Sequence, residues 1–312
     1  MSVAPQGRLS ASTIALLLLP PLMWAGNAIV GRMMQDVVPP ITLNFLRWVL
    51  AFVLLLPVAG WVLRRGSPLW PHWKRFALLG LLSVGCYNAL QYLALKTSTP
   101  MNVTLVAASM PVWMLLLGRV LYGVPVSRRA ALGTALSLAG VAVVLTRGEL
   151  ANLLSVKLVP GDGWIVLASI LWAWYSWLLA RPAPGSEPAQ IKADWAAFLF
   201  AQIAMGVVWS GLFAAGEWLT LPTLPEGQQH IQWGWPLALA LLYVAVGPSL
   251  VAYRAWGAAV GRVGPAMAAI FNNITPLFAA LMSATLLGEP PRGYHAASFV
   301  LIVGGILVSS RR

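Results

Sequence analysis

The sequence predicts an all-α integral membrane protein of ten transmembrane helices in two inverted five-helix repeats. Three observations carry this reading. The chain is 59% hydrophobic and 9% charged over 312 residues, whereas a soluble protein is nearer a quarter charged. Apolar runs fill nearly the whole length and leave no soluble domain; a bilayer core about 30 Å thick takes roughly 20 helical residues. Finally, one offset of 165 residues places Pro100 on Pro265, Pro111 on Pro276, Gly123 on Gly288, Pro125 on Pro290 and Gly140 on Gly305, without a gap. Leu121 and Leu136 fall on Leu286 and Leu301 at the same offset. Proline and glycine control backbone shape, so a shared pattern of them means a shared backbone path.

Taken in order between polar breaks, the spans run over Thr13–Met33, Ile41–Val62, Phe76–Leu95, Met101–Tyr122 and Ala130–Thr146. The second set runs over Gly163–Ala180, Trp195–Gly216, Trp235–Trp256, Pro265–Leu287 and Tyr294–Ser309. Arg8 followed by an apolar stretch to Ala25 has the outline of a signal peptide. The apolar pattern continues to Gly31, so a first span fits better. The repeat divides the chain into residues 1–150 and 151–312, five spans each. Five is odd, so the second copy enters the membrane from the opposite side, and an axis in the membrane plane relates the copies. Two such copies are the usual plan of a secondary transporter, with the substrate held where they meet.

Basic residues set the sides. With both termini inside, the inner segments hold Arg8, Arg64, Arg65, Lys74, Arg75, Arg119, Arg128, Arg129, Arg181, Lys192, Arg254, Arg262, Arg311 and Arg312. The outer ones hold only Arg32, Lys96, Arg147, Lys157 and Arg292, fourteen against five. The net charge of +12 is therefore spread over loops that face anionic lipid, and nucleic acid is not expected as a partner. Cys86 is the sole cysteine, which excludes an internal disulfide and any cysteine-based zinc spacing. No metal and no cofactor is expected.

Several motifs then point to a family. Pro276 to Leu286 leads into Leu287-Gly288-Glu289-Pro290, and Gly304-Gly305 follows in the last span. The first-half copy reads Pro111 to Leu121, then Tyr122-Gly123-Val124-Pro125, with Gly140 after it. Trp24-Ala25-Gly26-Asn27 stands in the first span and Leu46-Arg47-Trp48 in the second. Over the entire chain this resembles the drug/metabolite transporter superfamily, of the EamA type. It departs at Val124, where that family often has Glu, which weakens any essential role for an acid there. The resemblance implies a central cavity lined by spans one, three, four, six, eight and nine, and a small-molecule substrate.

Polar side chains in a bilayer usually face the bundle or a water-filled cavity, and helical spacing tells which of them share a face. Pro20, Trp24, Asn27 and Gly31 form one stripe, Asn88, Gln91 and Tyr92 a second, and Trp172, Tyr175, Ser176 and Leu179 a third. Ser249, Tyr253 and Trp256 line up in the eighth span; Asn272, Asn273 and Thr275 precede Pro276 in the ninth, and Ser109 precedes Pro111 in the fourth. The expected substrate-binding set is Trp24, Asn27, Asn88, Gln91, Tyr92, Trp172, Tyr175, Ser176, Tyr253, Asn272 and Asn273. Pro111 and Pro276 each remove one helical hydrogen bond and free the carbonyls of Ala107 and Asn272. They are the expected hinges. Spans two, five, seven and ten look plainer. Trp61, Trp70, Trp73, Trp218 and Trp235 read as interface anchors. Arg47, seven residues into its span, is expected to snorkel to the outer surface rather than meet a carboxylate. Gly257 and Gly261 form a GxxxG that reads as local packing.

Aromatic and amide side chains suit an apolar or aromatic body with a few hydrogen-bonding groups. Small neutral or zwitterionic metabolites fit, amino acids first among them, with a broader metabolite or drug exporter as the alternative. Bulk phosphate esters would need several buried Arg or Lys. An integral-membrane enzyme would need paired carboxylates, a serine with a base, or HExxH. His72, His230 and His295 lie in or beside loops, and no span carries paired carboxylates. The remaining expectations are alternating access without a buried proton relay, an inner-membrane location and a monomer among membrane lipids.

Overall fold

A computed structural model describes residues 10–34, 36–95, 97–98, 100–149, 151–152, 158–220, 230–287 and 292–310. The Gly288-Glu289-Pro290 motif, Lys96, Lys157 and Glu226 lie outside the described residues, as does the side chain of Tyr92. The described spans are helical, two of them with a short turn between their halves. The first five spans are α1 (Ala11–Met33), α2 (Pro40–Ala59), α3 with α4 (Trp73–Gly80 and Tyr87–Leu95), α5 with α6 (Pro100–Ala107 and Met110–Tyr122) and α7 (Arg128–Leu145). The second five are α8 (Pro160–Ala180), α10 (Trp195–Thr220), α11 with α12 (Trp235–Val244 and Ala252–Val263), α13 with α14 (Pro265–Asn272 and Thr275–Leu287) and α15 (Gly293–Ser310), with the short α9 (Ala189–Ala193) before α10. Nine helices among the described residues are long and apolar enough to cross a membrane. The third expected span is helical from Trp73 to Leu95 through an intervening π-helical stretch.

The repeat recurs in the element bounds. Adding 165 to the first and last residues of α5, α6 and α7 gives those of α13, α14 and α15. Local chemistry sets many of the ends. Ser127 caps α7 by accepting from the Ala130 N–H at 3.1 Å, and Asp194 caps α10 by accepting from the Ala196 N–H at 2.8 Å. Gly123 ends α6 at a φ of 64°, a left-handed conformation that glycine adopts without strain.

The chain divides into two compact units, each drawing on both sequence halves. The first comprises Met1–Gly26, Ala94–Ala180 and Ala255–Arg312; the second comprises Asn27–Leu93 and Arg181–Arg254. Within the first unit α7 packs along α15. A Cβ on Gly140 would lie 2.9 Å from the Ser298 carbonyl oxygen and 3.1 Å from the Ile302 nitrogen. A Cβ on Gly305 would lie 2.5 Å from the Gly133 carbonyl oxygen and 3.0 Å from the Ser137 nitrogen. The second contact is the first one shifted by the repeat offset, so the interface is self-complementary, as a two-fold relation requires. From Gly133 to Gly140 on α7 the facing residues run back from Gly305 to Ser298 on α15, so the helices run antiparallel and the copies are inverted. Within the second unit α2 packs on α10, with Phe52 stacked on Phe200 at a centroid distance of 4.9 Å. Here too the partners are a repeat pair, the second and seventh spans.

Candidate functional site

In the first unit, three helices bring four large rings together. Trp24 of α1 lies 5.5 Å from Trp172 of α8 and 5.6 Å from Trp256 of α12. Trp172 lies 5.1 Å from Tyr175 and 5.7 Å from Trp256. Edge and tilted geometries at these distances are the favoured ones for rings with a quadrupole. Ser176 orients the cluster: its hydroxyl accepts the Trp256 indole N–H at 3.1 Å and donates to the Trp172 carbonyl at 2.9 Å. Trp24, Trp172, Tyr175 and Ser176 are thus joined as the sequence stripes suggest. Trp256, on the eighth-span stripe, belongs with them. Trp24 keeps partial exposure.

The proline positions need a correction. Pro111 and Pro276 do not bend continuous helices. Each stands in the first turn of a new helix after a break, at Ala108–Ser109 and at Asn273–Ile274. Proline is well placed in a first turn because no intrahelical partner is needed there. The Asn272 carbonyl, expected to be freed, accepts the Thr275 hydroxyl at 2.6 Å. In the fourth span the Ser109 hydroxyl donates to the Val106 carbonyl at 2.6 Å. Asn272 is half-buried. Asn273 is buried and donates to Ser137 of α7 at 2.9 Å.

In the second unit, Asn27 accepts a hydrogen bond from the Arg47 guanidinium at 3.1 Å. Arg47 is 3% exposed and lies 5.0 Å from the centroid of the Trp48 ring. It does not snorkel: an amide oxygen from α1 and the ring of the adjacent Trp48 draw the cation inward. Tyr253 is buried, packs edge-on against Trp48 at 4.9 Å, and donates its hydroxyl to the Ser83 carbonyl at 3.1 Å. Asn88 is buried and Gln91 half-buried on α4.

Spans two, five, seven and ten are not plain. They carry Asn44, Ser137, Gln202 and Ser298, all buried. Glu217, one residue past the expected end of the seventh span at Gly216, sits in the last turn of α10 and is 3% exposed. Its carboxylate accepts from the backbone N–H groups of Ile41 and Thr42 at 3.0 and 2.7 Å and from the Thr42 hydroxyl at 2.7 Å. It therefore caps α2, where the helix end favours an anion. Asp162 does the same at α8, accepting from the Val159 N–H at 2.9 Å and from the Ser98 hydroxyl. Each carboxylate is committed to a helix end. The roles that depend on Ile41, Thr42 and Ser98 are invisible to helical spacing because those partners come from other segments. Trp70, Trp73, Trp218 and Trp235 are exposed, as anchors would be. A Cβ at Gly257 or Gly261 would meet nothing within 4 Å, so the GxxxG is not a packing seam among the described residues. Nor do the described residues hold a group of three His, Cys, Asp or Glu side chains that could bind a metal ion.

The fold and its polar interior define a polytopic transporter built from two copies of one membrane unit. The model of the EamA-like transporter family matches twice, over residues 11–146 and 159–311, and the chain belongs to that family. An uncharacterized transporter of Archaeoglobus fulgidus is 28% identical over 97% of this chain and 99% of its own length. A probable amino-acid metabolite efflux pump of Salmonella typhimurium is 25% identical over 94% and 93%. The aromatic amino acid exporter YddG of Ancylobacter novellus is 25% identical over 80% and 78%; aromatic content and length also suggest that likeness. A solved crystal structure shares the fold at a TM-score of 0.69 and 21% identity, over 96% of this chain and 97% of the other.

Proposed function

We propose that this membrane transporter exports small zwitterionic metabolites, amino acids above all and aromatic ones included. The observation that carries the reading is the cluster of Trp24, Trp172, Tyr175 and Trp256. Trp24, half-buried where the other three rings are buried, is the member of the cluster that offers apolar surface to an aromatic or aliphatic side chain. Asn272, in the same unit, supplies an amide group for the substrate's polar end; Asn27, Asn88, Gln91 and Tyr92 are candidate contacts by their sequence spacing alone. Ser176, Tyr253 and Asn273 support these groups through their bonds to neighbouring helices. The names of the Salmonella and Ancylobacter relatives agree with this substrate class.

Movement proceeds by alternating access, with the paired breaks before Pro111 and Pro276 as bending points. Both termini face the cytoplasm in the inner membrane, and the working unit is a monomer. Transport is facilitative: Glu217 and Asp162 are held at helix ends, and no other buried carboxylate among the described spans offers a proton relay. The test is reconstitution in liposomes with a panel of labelled amino acids beside a lipophilic cation such as ethidium. Saturable uptake of aromatic amino acids is expected. Uptake of ethidium without any amino acid would replace the reading with a drug exporter.

A further inference from the structure

The third and eighth spans share an irregularity that the repeat motifs do not encode. Helix α3 passes into a π-helical stretch at Leu81–Cys86, and α11 into another at Ala245–Val251. Moved by 165, the first stretch falls on residues 246–251, and the helices that follow, α4 and α12, start at Tyr87 and Ala252, the same offset apart. Yet LLSVGC and the overlaid VGPSLV agree at no position. Different residues make the same widened turn at the same place. Pro248, without an N–H, accounts for the second; Ser83 occupies its place in the first.

A serine within each stretch holds a carbonyl just before it. The Leu79 carbonyl accepts the Ser83 hydroxyl at 2.7 Å, and the repeat-equivalent Val244 carbonyl accepts the Ser249 hydroxyl at 2.8 Å. The first stretch carries two more such bonds, both from other helices of its unit. Asn44 of α2 donates its amide to the Val84 carbonyl at 3.3 Å, and Tyr253 donates to the Ser83 carbonyl at 3.1 Å. Asn44 is fixed in turn by the Trp48 indole, which donates to it at 3.1 Å, and the Trp48 ring packs against Tyr253. A π-turn weakens the helical ladder locally and is a recurrent site of kinks and of function. Here it comes as a matched pair, one per repeat.

We propose that the π-turns of the third and eighth spans are a second matched pair of bending points in the transport cycle, and that Asn44 and Tyr253 are positioning residues that latch the first of them. The proposal rests on the alternating-access reading. It differs from the proline breaks in place and chemistry: those lie in the first unit, whereas both π-turns lie in the second. The latch opens when the two side-chain bonds to the Ser83 and Val84 carbonyls break, which lets the turn change its hydrogen-bond register.

Cys86 closes the first π-turn, is half-buried, and is the sole cysteine of the chain, so it reports on that turn without engineering. The experiment is the rate of N-ethylmaleimide alkylation of Cys86 in the full-length protein in liposomes. Loss of one such bond shifts a local opening equilibrium about fivefold. Tyr253→Phe, which keeps the ring packing, and Asn44→Ala are each expected to raise the rate about fivefold over the wild type. Ser298→Ala, which removes a buried bond to the Gly140 carbonyl in the other unit, is expected to leave the rate unchanged. Rates within twofold of wild type in both latch variants overturn the proposal, as does an equal rise in Ser298→Ala, which would mean general loosening. The readout needs no substrate. Failure of wild-type protein to move L-phenylalanine would therefore count against the substrate reading alone, and the alkylation rates would still decide this one.

Discussion

The seam between α7 and α15 sets up a quantitative test of the repeat. Gly305→Ala places a methyl group 2.5 Å from the Gly133 carbonyl oxygen and 3.0 Å from the Ser137 nitrogen. Both are backbone atoms, so no side chain can rotate out of the way and the two helices must part. The mirrored change, Gly140→Ala, meets the Ser298 carbonyl at 2.9 Å and the Ile302 Cγ1 at 2.6 Å. Overpacking of this kind costs about 1–3 kcal/mol, and each kcal/mol lowers Tm by roughly 2–4 °C in a chain of this order of size, so a fall of roughly 2–12 °C is expected for either variant. Gly304→Ala is the internal control, because a Cβ there meets nothing within 4 Å. The assay is thermal unfolding of purified protein in one detergent, followed by tryptophan fluorescence. If Gly305→Ala and Gly140→Ala keep the wild-type Tm while Gly304→Ala lowers it, the seam is misplaced and the two-fold argument drawn from it fails.

Other consequences are equally direct. With Cys86 replaced by Ser, cysteines introduced singly at Ser2, Gly227 and Ser310 and treated on intact cells with an impermeant thiol reagent should label only at position 227; labelling at the termini would reverse the topology. Pro111→Ala and Pro276→Ala should each slow counterflow severalfold while leaving substrate binding near normal, and unchanged rates in both would make the helix breaks static. Glu217→Gln cannot accept at both oxygens, so it should destabilise the protein by about 1–3 kcal/mol, measured by thermal unfolding, while flux remains insensitive to a pH gradient; gradient-driven concentrative uptake that the variant abolishes would make Glu217 a proton carrier.

The spans and the repeat were legible because both rest on residues whose effect is local. A run of apolar side chains marks a membrane helix wherever it occurs, and a proline at one offset interrupts a backbone in either copy. The breaks before Pro111 and Pro276 follow from that. The aromatic stripes were legible for the same reason, since Trp24, Trp172 and Tyr175 each stand on a helical face that spacing defines. What was not legible depends on partners far apart in sequence. Arg47 reads as a snorkelling cation until Asn27, on another helix, is placed beside it. Glu217 reads as a loop acid until the start of α2, 175 residues earlier, supplies its donors. The π-turns escaped notice because LLSVGC and VGPSLV share a shape and no residue, so no motif could align them. The buried polar groups of spans two and five were visible as polar letters, and only their apolar surroundings made those spans look plain.

Counterflow of labelled L-phenylalanine into liposomes that contain the purified wild-type chain tests the central claim most directly, with Trp172→Ala at equal incorporation beside it. Saturable counterflow is expected in the wild type, with KM raised about tenfold in Trp172→Ala, the loss of roughly 1.4 kcal/mol of ring contact. Counterflow no greater than in protein-free liposomes, for phenylalanine and for every other amino acid of the panel, would contradict the account.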